Sequence, residues 1–285
     1  GDDFLDWFAK GLALHTNRLT GSIPSTLMKF TSSHFFSLHE NLLTGRIPSE
    51  FGKMRGLQAL LLFDNALEAT IPTELGSLDE LKVLALSQNH LTGGIPKELV
   101  RMAALNTLWL QENDLSGFIP PFGDQFASDE PFPSKFLPPG LWKREALLAE
   151  LDLSGNRLSG SIPANLIGAK LVKLSLSSNL LIGTIPSLRG GYLQEINLGD
   201  NSLVGCLADE LGSWSSRLAK FNVSSNHLSG AIPSAVQRIP SLRMFDISNN
   251  SFQGTIPSGL CNLGTRLLFS CSELLCGCQC RCLSD

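Results

Sequence analysis

Hydrophobic positions along this chain recur in a fixed order. From Leu81 to Leu99 it reads LKVLALSQNHLTGGIPKEL, which reduces to L-x-x-L-x-L-x-x-N-x-L-x-G-x-I-P-x-x-L. The constant asparagine returns at Asn17, Asn41, Asn65, Asn89, Asn113, Asn156, Asn179, Asn201, Asn226 and Asn250. The steps between them are 24, 24, 24, 24, 43, 23, 22, 25 and 24 residues. A period held this closely predicts a solenoid of about ten turns, numbered here by these asparagines. Within a turn the L-x-x-L-x-L segment alternates, so Leu84 and Leu86 point one way and Val83, Ala85 and Ser87 the other. That predicts a short strand with one buried face, paired in parallel with its copies in neighbouring turns. Leu81, Leu91, Ile95 and Leu99 should also point inward, because one turn cannot bury its apolar face alone. The asparagine falls where the chain must bend, and its amide can satisfy backbone groups that the bend leaves unpaired. The glycine then tolerates positive φ. Ile-Pro holds an extended segment, since proline disfavours helix in the residue before it.

The segments LTGSIP at 19–24, LTGRIP at 43–48, LTGGIP at 91–96, LSGSIP at 158–163 and LSGAIP at 228–233 carry the extra mark of the plant-type leucine-rich repeats. The chain resembles that family over roughly residues 9 to 260. It is similar to the ectodomains of receptor-like proteins, and its Cys-rich end resembles that of diatom leucine-rich repeat proteins. The resemblance implies an α/β fold class. The expected form is a right-handed curved superhelix with a parallel β-sheet on its concave face and short strands, 3-10 turns and loops on its convex face. It also implies a ligand on the concave face without naming one, because the family is a scaffold with interchangeable faces.

Departures from the pattern divide the chain. Residues 1–260 are expected to form the solenoid and 261–285 a Cys-rich C-terminal cap. Turn one is poor, with Ala9 where a leucine is expected. Relatives usually open with a capping segment containing paired Cys, but here the first Cys is Cys206. Either Phe4, Leu5, Trp7 and Phe8 replace that cap or the natural chain extends further back; the apolar surface of an uncapped end favours the extension. Between Asn113 and Asn156 the step is 19 residues too long. The surplus falls near 121–139, PFGDQFASDEPFPSKFLPP, whose density of Pro and Phe predicts an inserted loop.

Six of the seven Cys lie at the end: Cys261, Cys271, Cys276, Cys278, Cys280 and Cys282. Disulfides stapling a cap over the last turn fit that location. Cys261 with Cys271 would flank the cap's apolar segment, although sequence cannot choose the pairing. The rival reading is a soft-metal thiolate cluster built on Cys-x-Cys-x-Cys-x-Cys, which lacks the Cys-x2-Cys pairs of structural zinc sites. Cys206 is left over and reads as a free, buried thiol. Disulfides imply an oxidising compartment. The sequons at Asn222 and Asn249 point the same way, to an extracellular, secreted or cell-surface protein carrying glycans. Net charge is −4 with both signs mixed along the chain, so no basic stripe suits nucleic acid. No run of 18 apolar residues spans a membrane within the chain, which leaves an anchor outside it open.

Catalytic chemistry has no foothold in the sequence. There is no H-E-x-x-H, G-x-S-x-G or phosphate-binding loop, and neither a cofactor nor a resident metal is expected. His15, His39 and His34 lie close together but read as surface histidines. On the concave face, turns two to five present Phe35, His39, Leu61, Phe63, Val83 and Trp109. Clustered apolar and aromatic side chains on a rigid surface suggest a partner site. Trp109 precedes the inserted loop, so the two could share one pocket. Turns six to nine present Glu150, Lys173, Glu195 and Lys220 in one column, a stabilising ladder of opposite charges. The neighbouring column of Asp152, Asn197, Asn222 and Asp246 suits a polar peptide or a sugar. The reading is a non-catalytic recognition scaffold for a peptide, protein or glycan, of undefined oligomeric state. The alternatives are a structural or adhesive wall or matrix protein, and a secreted inhibitor of a foreign hydrolase.

Overall fold

The computed structural model describes residues 11–29, 32–121, 148–167, 171–187, 191–207, 216–261 and 266–268. The first ten residues, most of the Pro- and Phe-rich insertion and the tail with Cys271, Cys276, Cys278, Cys280 and Cys282 lie outside them.

The alternating segments form an eleven-stranded parallel sheet in which every strand pairs with those of the adjacent turns. Strands are three residues long, as in Ala59–Leu61, Val83–Ala85 and Thr107–Trp109. Ala59 faces Val83, Leu60 faces Leu84 and Leu61 faces Ala85, so equivalent side chains of successive turns form columns. The 43-residue step leaves the register intact, with Thr107 opposite Glu150 and Trp109 opposite Asp152.

A second parallel sheet, of ten strands, runs beside the first. It comes from the L-x-G-x segments, such as Leu42–Arg46, Asp114–Phe118 and Arg157–Ser161. The sequence reading expects an extended segment only at the Ile-Pro that follows, and no ladder. Each turn repeats the same extended backbone beside its neighbour, so free N–H and C=O groups pair across turns. On the far side the chain closes in short 3-10 turns, including Ser49–Lys53, Thr73–Ser77 and Ser234–Arg238. Pro48, Pro72 and Pro233 open these three with φ −63°. Proline suits that place, because the N–H it lacks would have no partner there. The turns stack closely: a Cβ at Gly76 would sit 2.5 Å from the Glu98 Cβ.

One continuous apolar core runs from Ile23 to Leu260. Leu60, Leu84, Leu108 and Leu151 are fully buried at equivalent positions, and Phe36, Phe221 and Phe245 replace leucine there in other turns. Each such side chain contributes about 1.5–3 kcal/mol by burial. The asparagines tie turn to turn. Asn89 Oδ1 accepts from the Leu67 N–H at 2.9 Å. Its Nδ2 lies 3.0–3.1 Å from the Leu62, Leu86 and Ser87 carbonyls. The residue before each ladder asparagine is left-handed: Thr16, Glu40, Asp64, Gln88, Glu112, Ser178, Asp200, Ser225 and Asn249 at φ 51–56°, and Gly155 at 62°.

Candidate ligand-binding face

The outward side of the first sheet carries three columns of side chains per turn, and it corresponds to the concave face of the sequence reading. Its N-terminal half is less open than alternation suggests. Phe35, Ala59 and Val83 stand on adjacent strands and bury one another, with Leu61 packed against them. Phe35 and Val83 are each only 4% exposed. Their expected presentation to solvent is corrected: in-register pairing sets like residues about 4.8 Å apart, close enough for side chains to cover each other. His39, Leu61, Phe63 and Trp109 are half-buried and remain reachable. The rings of His15 and His39 stack at 4.6 Å and 3°, and those of His39 and Phe63 at 4.2 Å and 16°. Ser37 Oγ lies 2.8 Å from His39 Nδ1. Burial lowers the His39 pKa below the usual 6.5. His15 pushes it the same way, and Glu40 and Asp64 oppose.

The C-terminal half forms an open groove of about 380 Å³, lined by Asp152, Lys173, Ser177, Asn197, Lys220 and Met244 among others. Local bonds fix its polar walls. Asp152 Oδ1 accepts from the Ser154 N–H at 3.1 Å and its hydroxyl at 2.6 Å, and outside the lining Asp246 does the same for Ser248 at 3.0 and 2.7 Å. Asn222 Oδ1 accepts from the Ser224 N–H at 2.9 Å, and Asn197 Nδ2 donates to Ser177 Oγ at 3.0 Å. The turns at Asp152, Asn222 and Asp246 are of Asx type, and their D/N-x-S signature is readable in the sequence. Of the expected charge ladder one rung forms, Lys220 to Glu195 at 2.8 Å. Lys173 has no ion pair among the described residues, although Glu150 and Glu195 flank it in register. The groove thus offers ammonium groups, carboxylates, hydroxyls and amides held on a rigid sheet.

The other sequence candidates are scattered. Asn222 lies half-buried in the groove and Asn249 is exposed. Cys206 is an exposed free thiol, not a buried one, because the turn-eight segment Ser202–Gly205 places it on the outer side of the second sheet. The backbone of Cys261 ends the helical turn Ser258–Cys261. Among the described residues no group of three His, Cys, Asp or Glu could hold a metal, and no helix is long and apolar enough to cross a membrane.

Comparison with known proteins agrees with this architecture. A family model described as Leucine Rich Repeat matches residues 80–102, 147–168 and 241–263. "Leucine-rich repeat receptor protein kinase MSP1" of Oryza sativa subsp. japonica is 38% identical over 92 residues, 30% of this chain and 7% of that protein. A "plant peptide hormone receptor RGFR1 in complex with RGF2" superposes with a TM-score of 0.80 at 31% identity, covering 92% of this chain and 39% of that one. A "plant ice-binding protein" superposes with a TM-score of 0.76 at 26% identity, covering 93% of this chain and 80% of that one. The chain therefore spans well under two thirds of the two receptors named here. Repeat order, twin sheets, asparagine ladder and these likenesses together identify the chain as a leucine-rich repeat protein of the plant type.

Proposed function

We propose that the chain is a non-catalytic recognition scaffold, outside the cell or on its surface, that binds an extended peptide along the outward face of its first sheet. The observation that carries this reading is the groove over turns six to ten, where Lys173 has no ion-pair partner among the described residues and stands beside hydroxyls and amides. The receptor named above is in complex with its ligand on the same fold, which supports the reading. A rigid sheet loses little freedom on binding, so the ordering cost falls on the peptide. Lys173 would meet a carboxylate of the peptide, and Asn197 and Asn222 its backbone. The test is selection of a displayed peptide library on the purified full chain. Selected peptides should bind Lys173→Glu at least about tenfold more weakly. Unchanged binding to Lys173→Glu and Asn222→Arg would overturn the proposal.

A second reading, adsorption to ice through the second sheet, rests on a different observation. Thr20, Thr44, Thr92, Ser116 and Ser229 are exposed at one repeat position, which Glu68, Ile182 and Val204 occupy in other turns. The register sets Thr44 beside Ser22 and Thr92 beside Thr70, so hydroxyls lie about 4.8 Å apart across these two strand pairs. Thermal hysteresis that is lost in Thr44→Glu would support this reading, and no hysteresis in the full chain would end it.

A further inference from the structure

We infer that the first sheet holds, at turn four, a slot for one aromatic side chain bearing an N–H or O–H donor. The inference rests on the peptide reading above and locates one anchor of that peptide. His15, His39, Phe63, Ser87 and Gln111 occupy equivalent positions on turns one to five. Backbone hydrogen bonds hold that column in register. The Glu40 N–H donates to Phe63 O at 3.0 Å, the Asp64 N–H to Ser87 O at 3.0 Å and the Gln88 N–H to Gln111 O at 2.8 Å. The first three members are the stacked rings, and the stack stops at Phe63 because Ser87 has no ring. No other ring of the described residues meets Phe63. The adjoining column also narrows at turn four, where Ala85 stands between Leu61 and Trp109. Turn four is therefore a dip one strand wide between bulkier neighbours.

The far wall of the dip supplies the chemistry. Gln111 Oε1 is buried and has no hydrogen-bond partner among the described residues. A buried amide oxygen ordinarily accepts a hydrogen bond, and one left without a donor is costly. A ligand ring in the fourth place of the stack would lie on the free face of Phe63, with Leu61 and Trp109 beside it. Its O–H or N–H would then give Gln111 the missing donor. Ser87 is 3% exposed and Ala85 fully buried, so the empty slot is roofed over. Of the two column neighbours of Ser87, Phe63 is held by His39, which leaves the long, unbranched Gln111 to move aside. Tyrosine and tryptophan carry both the plane and the donor; phenylalanine lacks the donor and leucine the plane.

The test titrates the full chain with N-acetyl-tyrosinamide, N-acetyl-phenylalaninamide and N-acetyl-leucinamide. NMR reads the Phe63 ring and the Gln111 side-chain amide. The expected order of affinity is tyrosine, phenylalanine, leucine, with saturable shifts at both groups. Gln111→Leu should erase the preference for tyrosine over phenylalanine. Ser87→Phe should fill the slot and weaken binding of both about tenfold or more, whereas Ser87→Ala should bind as the parent does. Phe63 occupies the same position one turn earlier, so the column accommodates a ring, and the unfolding midpoint of Ser87→Phe checks that it folds. Absence of saturable shifts at Phe63 and Gln111, or equal binding by Ser87→Phe, would overturn the slot. The probes are single residues, so failures separate. A slot that takes tyrosinamide in a chain that selects no peptide removes the peptide reading alone. Selected peptides sensitive to Lys173→Glu but indifferent to Ser87→Phe remove the slot alone.

Discussion

Replacing Asn89 tests how the turns are held together, because the consequences can be followed bond by bond. In Asn89→Ala the Leu67 N–H loses its acceptor at a site where Leu67 is fully buried. The three carbonyls fare better. Leu62 O keeps the Asn65 amide at 3.2 Å, Leu86 O keeps the Asn113 amide at 3.1 Å and Ser87 O keeps the Asp64 N–H at 3.0 Å. One stranded amide costs about 1–3 kcal/mol, and weakening three shared bonds brings the expected loss to about 2–4 kcal/mol. Asn89→Asp should be worse although it is nearly isosteric. Its first oxygen can still accept from Leu67, but its second faces three carbonyl oxygens, and a buried, uncompensated carboxylate costs about 3–5 kcal/mol. Exposed Asn17 is the control, since among the described residues its amide reaches only Leu14 O and His15 O. Asn17→Ala should cost about 0.5 kcal/mol or less, as for most surface substitutions. Urea unfolding followed by circular dichroism at neutral pH measures all three. An aspartate variant more stable than the alanine variant would refute the reasoning, because it would show that the Nδ2 contacts carry little.

Three further outcomes follow from the packing and the charges. His39 has a lowered pKa, so the folded chain binds fewer protons there than the unfolded one. Its contribution to stability is full above pH 6.5 and is lost as pH falls toward the lowered value, so His39→Phe should flatten the urea midpoint across that acid window. Gly76→Ala should cost about 1–3 kcal/mol, since its Cβ would meet Glu98 at 2.5 Å, whereas Gly56→Ala, with nothing within 4 Å, should be neutral or slightly stabilising by thermal unfolding. Glu195→Gln should shift stability by about 1 kcal/mol or less, vanishing in high salt, because the Lys220 pair is largely solvent-exposed.

Much of this fold is legible in the residues because each constant side chain does one job in every turn. A leucine at the Leu84 position can only be core, and an asparagine at the Asn89 position can only be a bridge. The second sheet was harder to see. Its strands contain glycine and abut proline, which argue against strand locally, and the pairing comes from the neighbouring turn's backbone. Phe35 and Val83 show a related limit: alternation assigns the outward side, but a parallel ladder can bury an outward residue against its own column. The polar groove was half legible. Asp152, Asn197, Asn222 and Asp246 fall out of the column count, whereas the freedom of Lys173 depends on Glu195 choosing Lys220, a rotamer choice that sequence does not encode.

The left-handed residue before each ladder asparagine makes the solenoid a tunable thread. A non-glycine residue held there gives up about 1–2 kcal/mol, and glycine would return part of that while costing about 0.4–1 kcal/mol through a freer unfolded chain. The balance is small at one site. It recurs once per turn, and turn six already carries the glycine version in Gly155. Heat tolerance can therefore be adjusted increment by increment along this column, without altering a side chain in the three outward columns of the first sheet. Durability and recognition are separate settings on the same coil.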